Sequence, residues 1–294
     1  MTNKQPIEGK WLGKQTNYPQ EYQPDVLVAV PRELNRTQYN IDNKNLPFVG
    51  TDAWHAYEVS FLTTNGLPVC GVIKLTYSAD SLFLIESKSL KLYLNSFNMT
   101  RFENNAKEST IKACEIIKSD LSTVVGQPVS ISFFDELIAT KFDFSNYELL
   151  ENQPSVETIE FNHFTETPEL LSTDGLGSIT LNISTNLLRS NCKITHQPDW
   201  GSAFIHYKGS RIPNLISILQ YVVSFRNENH FHEEICEMLY KRLWDTYSPE
   251  ELMVTCLYTR RGGIDICPTR ASSQELLPKN LVNSSVLTAK LIRQ

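Results

Sequence analysis

The 294-residue sequence sets 27 Lys and Arg against 33 Asp and Glu, a formal net charge of −6, with 41% hydrophobic and 10% aromatic residues. That balance is globular and mildly acidic, which argues against a basic nucleic-acid surface, a disordered chain or a fibrous repeat. Apolar runs such as Leu82–Ile85 and the interrupted Leu215–Val223 fall far short of the roughly 18 to 20 residues that span a bilayer. Met1–Pro6 shows no apolar signal core, so the expected compartment is the cytosol, with thiols reduced.

In chain order, Ala56–Leu62 and Val69–Tyr77 are expected as strands, the first by near alternation and the second by β-branched content. Ser87–Phe97 is expected as a helix, with Leu90, Tyr93, Leu94 and Phe97 at helical spacing. Glu103–Val125 is the second helix, its apolar face drawn through Ile111, Cys114, Ile117 or Lys118, Leu121 and Val125. Gly126-Gln127-Pro128 ends it, and Val129–Phe134 is the next strand. The polar stretch Asn146–Gly177 marks a boundary between units 1–150 and 151–294. Beyond it the order returns: strands at Ser178–Ser184 and Ser202–Tyr207, helices at Ile212–Arg226 and His232–Tyr247, strands at Leu252–Tyr258 and near Ile264–Cys267.

Residues match across the two halves. Pro68 and Tyr77 align with Pro198 and Tyr207 at an offset of 130, and Tyr93-x-x-Ser96-Phe97 meets Tyr221-x-x-Ser224-Phe225 at 128. The simplest account is a duplicated ββααββ module, α+β in class, with its helices on one face of an antiparallel sheet. The other face then needs a cover; two such modules in one chain, with further copies by oligomerisation, can close a barrel with sites at the seams between modules, drawing residues from both halves.

Four segments carry residue types suited to chemistry. The six cysteines include no C-x-x-C pair, so no metal site is expected and most read as small buried hydrophobes. Cys192 differs, because it lies in a polar loop with Asp199 seven residues on. A thiolate is a strong nucleophile and a carboxyl can donate or carry a proton; a loop cysteine beside a turn aspartate is the plain alternative. His196 shares the loop, but that alone does not establish contact and it is assigned no catalytic role.

Glu86-Ser87-Lys88-Ser89 opens a helix, where free N–H groups, a hydroxyl and a lysine suit an anion, or where Ser87 is simply the N-cap of a solvated helix. In Phe231-His232-Glu233-Glu234 the acids suit the helix dipole, or one of them accepts the N–H edge of a purine-like ring. His232-Glu233-x-x-Cys236 is not H-E-x-x-H, which disfavours a zinc site. Arg261-Gly262-Gly263 can meet a phosphate on a tight backbone, or form a β-turn with solvated arginines. Neither a dinucleotide-fold glycine fingerprint nor a P-loop is present, so any nucleotide binds by another route.

Taken together, Glu86-Ser87-Lys88-Ser89-Leu90-Lys91-Leu92-Tyr93-Leu94, Ser190-Asn191-Cys192…Thr195…Gln197-Pro198-Asp199-Trp200, Ser224-Phe225-Arg226 with Phe231-His232-Glu233, and Arg261-Gly262-Gly263-Ile264-Asp265-Ile266 closely resemble one family. It is that of the NADPH-dependent 7-cyano-7-deazaguanine reductases of queuosine biosynthesis, in the longer two-module bacterial form, and the likeness covers nearly the whole chain. The resemblance implies the tunnelling fold (T-fold) shared with GTP cyclohydrolase I, two NADPH used per nitrile reduced, and a homodimer. The substrate it implies is a free base made before tRNA is involved, with neither nucleic acid nor membrane as partner. Residue by residue, it implies that Cys192 attacks the nitrile carbon to form a thioimide and that Asp199 supplies the proton. Ile85, Glu86, Ser87, His232 and Glu233 would hold the ring; Ser87, Lys88, Arg261 and Gly262 would bind NADPH. The residues also admit a nitrilase-type cysteine hydrolase, which would not need Ser87-Lys88 or Arg261-Gly262-Gly263. A non-catalytic purine- or pterin-binding protein is the third reading, and it would not need the Cys192 and Asp199 pair.

Overall fold

A computed structural model describes residues 19–136 and 138–294; the reading of Met1–Pro6 lies outside the described residues. The first half contains β1 (Ala29–Pro31), α1 (Glu33–Arg36), β2 (Val49–Leu62), β3 (Pro68–Ser78), β4 (Phe83–Ile85), α2 (Ser87–Asn95), α3 (Ala106–Val125) and β5 (Ser130–Phe134). The second contains β6 (Glu148–Leu149), β7 (Thr173–Thr185), β8 (Arg189–Cys192), β9 (Pro198–Pro213), α4 (Leu215–Ser224), β10 (Asn229–His230), α5 (His232–Tyr247), β11 (Glu251–Tyr258), β12 (Ile264–Ala271) and α6 (Lys279–Val282).

One sheet runs through both halves in the order β7-β9-β11-β12-β2-β3-β5, every neighbour antiparallel. The join is the β12–β2 pairing, which registers Ile264 with Ala56 through to Ala271 with Val49. This pairing explains why β2 begins at Val49, ahead of the alternation that marks it in the sequence: its first residues are held by hydrogen bonds from the other half. Helices α2 and α3 pack on one stretch of the sheet around Trp54, Phe61, Ile73 and Leu75. On the next stretch, α4 and α5 pack around Ile205, Tyr207, Val254 and Cys256.

Helix ends follow local chemistry. Asn105 accepts the Glu108 N–H at 2.9 Å and starts α3 three residues after the expected Glu103, while Gly126 ends it in the left-handed region with φ 74°. The buried face of α3 is Ser109, Ala113, Ile117, Leu121 and Val125; Ile111 is exposed and Cys114 half-buried, so the expected face is rotated. Asn214 likewise caps α4 by accepting the Ser217 N–H at 2.8 Å, which leaves Ile212 and Pro213 in β9. The cap of α2 is Glu86 rather than Ser87, its carboxylate accepting the Ser89 N–H at 2.6 Å.

The duplication is visible atom by atom. Tyr93 and Phe97 meet edge-on at 5.2 Å, Tyr221 and Phe225 at 5.3 Å, and Ser96 and Ser224 each return a hydroxyl hydrogen bond to the tyrosine carbonyl. The repeat also extends upstream of its expected start. Val28 N–H donates to Ser89 Oγ as Ser172 N–H does to Ser217 Oγ, both at 3.1 Å, and each strap contains a short 3₁₀ turn, Pro24–Val26 and Pro168–Leu170.

The halves differ after their helices. Only the second has a long strand pair on each side of its two helices, with the short β8 and β10 added; residues 138–147 form no strand beyond an isolated Lys141–Thr288 bridge. They serve instead on the sheet's other face, where Phe142, Phe144 and Tyr147 join Leu277, Leu281 and Leu291 over Phe204, Met253, Leu257 and Cys267. Part of the face expected to need a partner is therefore covered by this chain itself.

Candidate active site

Where the two halves meet, on the helix-bearing side of the β12–β2 join, lies a cavity of about 520 Å³. Ile85, Ser87 and Lys88 reach it from the end of β4 and the start of α2; Cys192 and Asp199 from the β8–β9 hairpin; His232 and Glu233 from the start of α5; Arg261 and Gly262 from the β11–β12 turn. Nine of the ten residues singled out in the sequence thus line one space. The tenth, Glu86, does not line it: it is buried just behind as the cap of α2, with Oε1 lacking a partner.

The hairpin sets the reacting pair. Ser190 pairs with Asp199 and Asn191 with Pro198, and Cys192 N–H donates to Gln197 O at 2.8 Å. Cys192 and Asp199 are therefore diagonal neighbours on one face, a spacing of about 7–8 Å in sheet geometry. His196 takes φ 55° in the turn between them, is exposed and lies against Asn229 at 2.7 Å, away from the cavity.

Charges in the cavity are set by burial and by neighbours. Burial alone raises the Asp199 carboxyl, but His232 and Arg261 outweigh it and hold it below the ordinary carboxylate range. His232 Nε2 stands 3.3 Å from Asp199 Oδ2, and an Arg261 N–H donates to Asp199 Oδ1 while another donates to Gln197 Oε1 at 2.7 Å. The His232 ring is fixed by stacking on Tyr258 at 3.8 Å and 9°. Glu233 behaves in the opposite way: burial, joined by the negative charge of Asp52, pushes it up to about 8. Glu86 is pushed up to about 7 by burial, against the N–H groups at the helix start.

Several buried polar atoms on the cavity wall lack partners, namely Thr195 Oγ1, His232 Nδ1 and Glu233 Oε1. Native interiors rarely leave such groups unpaired, and a bound polar ring would satisfy them. Another part of the lining is basic, with Lys88, Lys91 and Arg261 beside Gly262, whose φ of 57° suits glycine; a Cβ there would meet Lys91 at 3.2 Å. Trp54, Lys91, Thr195, Gln197, His230, Phe231, Ile264 and Ile266 also line the cavity and were not singled out by sequence reasoning. Lys91, Thr195, Gln197, Phe231, Ile264 and Ile266 lie inside the motifs that carry the resemblance, whereas His230 does not. Trp54 carried no signal, since only strand pairing brings β2 to this place.

Asp265 belongs to the opposite face. It binds His55 Nδ1 at 2.7 Å and Tyr57 Oη at 2.7 Å, and with His55 and Cys267 forms a buried trio at metal-ligand spacing. Lys290 Nζ stands 2.9 Å from both Asp265 Oδ2 and His55 Nδ1 and so occupies the cation's place.

Family models and several known proteins match this chain. Residues 18–133 match the family described as nitrile reductase, 7-cyano-7-deazaguanine-reductase N-term, and residues 198–276 match the QueF-like protein family. The chain is 39% identical to the NADPH-dependent 7-cyano-7-deazaguanine reductase of Hydrogenovibrio crunogenus over 96% of both chains. It is 41% identical to that of Colwellia psychrerythraea, over 91% of this chain and 93% of that one, and 39% identical to that of Acinetobacter baumannii, over 93% and 97%. A solved structure of the archaeosine synthase QueF-Like in the apo form covers 33% of this chain and 95% of its own at 17% identity, with a TM-score of 0.29, too low to bear on the fold.

Proposed function

The chain belongs to the NADPH-dependent 7-cyano-7-deazaguanine reductases, and from that premise we propose how its own residues carry out the reaction. The enzyme reduces the nitrile of 7-cyano-7-deazaguanine to the aminomethyl group in queuosine biosynthesis, consuming two NADPH and two protons per amine. The observation that supports the assignment of roles is the single cavity that gathers Cys192, Asp199, Glu233, Ser87, Lys88 and Arg261 from both halves of the chain.

In our reading Cys192 is the nucleophile. A nitrile is a poor hydride acceptor, and adding a thiol turns it into an imine-like carbon, dividing one hard step into easier ones. Asp199 starts ionised, held so by His232 and Arg261. It takes the Cys192 proton as the S–C bond forms and one C–N π bond breaks, then passes that proton to the nitrile nitrogen, leaving a neutral thioimide. This refines the expectation that Asp199 simply supplies a proton, since its carboxylate must first receive one.

Glu233 and His232 hold the deazaguanine edge, with Ile85 and Ser87 on the other side of the ring and Glu86 behind them. A carboxylate accepting two ring N–H groups makes a charge-assisted contact worth more than a neutral one. The basic wall of Lys88, Lys91 and Arg261 fits the phosphates of a dinucleotide; Ser87, Lys88, Arg261 and Gly262 would hold it, with Lys91 alongside. NADPH, when bound, supplies hydride. The protein's share is orientation, proton delivery and exclusion of water by the apolar Trp54, Ile264 and Ile266.

We further propose that residues 1–150 and 151–294 are two T-fold modules and that the chain works as a homodimer, with no nucleic-acid partner. The edge strand β5 supports this, as does the stretch of β7 before Ile183, where the two-residue β6 takes up the edge, because each offers backbone groups to a further strand.

The test of the chemistry is incubation with 7-cyano-7-deazaguanine in the absence of NADPH, followed by mass spectrometry. An adduct on Cys192 is expected, absent in Cys192→Ala together with all NADPH oxidation. Turnover surviving that substitution, or release of a carboxylic acid, would sink the reading.

A further inference from the structure

We infer that Glu234 is a positioning residue that fastens the Cys192 turn to the helix carrying Glu233; this rests on the reading of Cys192 as the nucleophile. Glu234 is buried in the first turn of α5, and its carboxylate makes three contacts. Oε1 pairs with Lys193 Nζ at 3.1 Å; Oε2 accepts the Phe231 N–H at 3.1 Å and lies 3.2 Å from His230 Nδ1. Lys193 follows Cys192 directly, whereas His230 and Phe231 line the cavity. A helix-capping role explains only the Phe231 contact. The Lys193 contact ties the end of β8 to the start of α5, and the His230 contact holds β10, the strand beside β8, to the same helix turn.

The backbone alone gives that junction little stiffness. β10 is two residues long and pairs in parallel with β8, His230 beside Cys192 and Asn229 beside Asn191, with one further bond from Asn191 N–H to Glu228 O at 2.7 Å. So short a parallel edge is a weak hold. A buried carboxylate bridging both segments keeps the sulfur at a set distance from a ring that Glu233 grips from the α5 side. Ring recognition itself needs Glu233, not the place of the Cys192 turn. Glu234 therefore acts on the rate of S–C bond formation and leaves ring affinity nearly untouched.

The experiment compares Glu234→Ala, Glu234→Gln and Lys193→Met in the full-length protein. Adduct formation on Cys192 is timed with 7-cyano-7-deazaguanine and no NADPH, and the dissociation constant is measured for 7-aminomethyl-7-deazaguanine, which has no nitrile. A displacement of the reacting atoms by an ångström costs on the order of 100-fold in rate, so Glu234→Ala is expected to slow the adduct by about 100-fold. Glu234→Gln, which keeps an acceptor for Phe231 but loses the charge, should slow it by about tenfold, with product affinity within about threefold of wild type in both. Lys193→Met leaves the helix cap intact but also takes the ammonium from the Phe231 ring, 5.5 Å away, so it should slow the adduct at least as much as Glu234→Gln; the double variant should lose less than the product of the two single losses, because they share one contact. Wild-type adduct rates in folded Glu234→Ala and Lys193→Met would overturn the inference. So would a parallel fall of adduct rate and product affinity, the sign of a merely structural role. Failure of wild-type Cys192 to form any adduct is a different result, which overturns the nucleophile reading and this inference with it.

Discussion

Glu233 opens α5 with one carboxylate oxygen unpartnered, and burial with the Asp52 charge pushes it up to about 8. Because this folded value lies above the unfolded one of 4.5, the empty protein retains a proton there that the unfolded chain has lost. The stability from that neutral carboxyl is present in full below pH 4.5 and is lost as pH rises through about 8. Ring N–H donors favour the carboxylate, so binding expels the proton and affinity should tighten between pH 6.5 and 8, approaching about tenfold per pH unit. Calorimetry with 7-aminomethyl-7-deazaguanine, in buffers of different ionisation heat, reads both affinity and released proton. Glu233→Gln should flatten the profile, and a flat wild-type profile would refute the role given to Glu233. Such a residue is legible in sequence as a type and a place, an acid in a helix's first turn. Its altered chemistry is not, because that comes from burial in the folded chain and from Asp52, far away in sequence. The Asp199 and Arg261 contact is hidden for the same reason, its partners lying 62 residues apart.

Among the elements, the β11–β12 turn illustrates how backbone chemistry serves the site. Gly263 has φ 77°, its carbonyl accepts the Tyr57 N–H at 2.8 Å, and a Cβ there would lie 2.5 Å from the Glu58 carboxyl carbon. Alanine at this position costs about 1–2 kcal/mol in left-handed strain before Glu58 is displaced. If the turn holds NADPH, Gly263→Ala should raise the KM for NADPH roughly 5- to 30-fold while adduct formation on Cys192 keeps its rate. A lowered melting temperature with an unchanged NADPH KM would count against the turn's role. Helices were the most legible elements, since apolar spacing and capping residues are local; even so, α3 presents a rotated face because Ser109 and Ala113 fit closely where Ile111 was expected. The paired straps at Pro24–Val26 and Pro168–Leu170 escaped the repeat at offset 130 because they recur at 144. The signal was present in Pro24-Asp25-Val26-Leu27 and Pro168-Glu169-Leu170-Leu171.

Across the whole molecule, the two halves share a sheet and a buried ion network. Arg270 reaches Asp52 at 2.8 Å and Glu237 at 2.9 Å, Arg36 reaches Glu237 at 2.7 Å, and Arg32 reaches Asp52 at 2.5 Å. Its members come from the first-half α1 segment and β2 and from the second-half α5 and β12, so the first half by itself would leave Arg36 without its carboxylate, and unpaired buried charge is strongly destabilising. The outer edge of β5 and that of β7 ahead of its pairing with β6 remain for another copy, and Leu176 on β7 is 83% exposed. Light scattering at micromolar concentration should therefore give twice the chain's mass; a monomer mass at every concentration would refute the homodimer. The sequence by itself determined the reaction family, the duplicated plan and nine of the cavity's residues, because residue types at fixed spacing express local chemistry. Only the tertiary structure decided that the β12–β2 pairing makes the seam, that residues 138–147 cover the sheet instead of extending it, and that Asp199 is held ionised while Glu233 is not. Those outcomes depend on strand pairing and on charges brought together from distant parts of the chain, which no local pattern records.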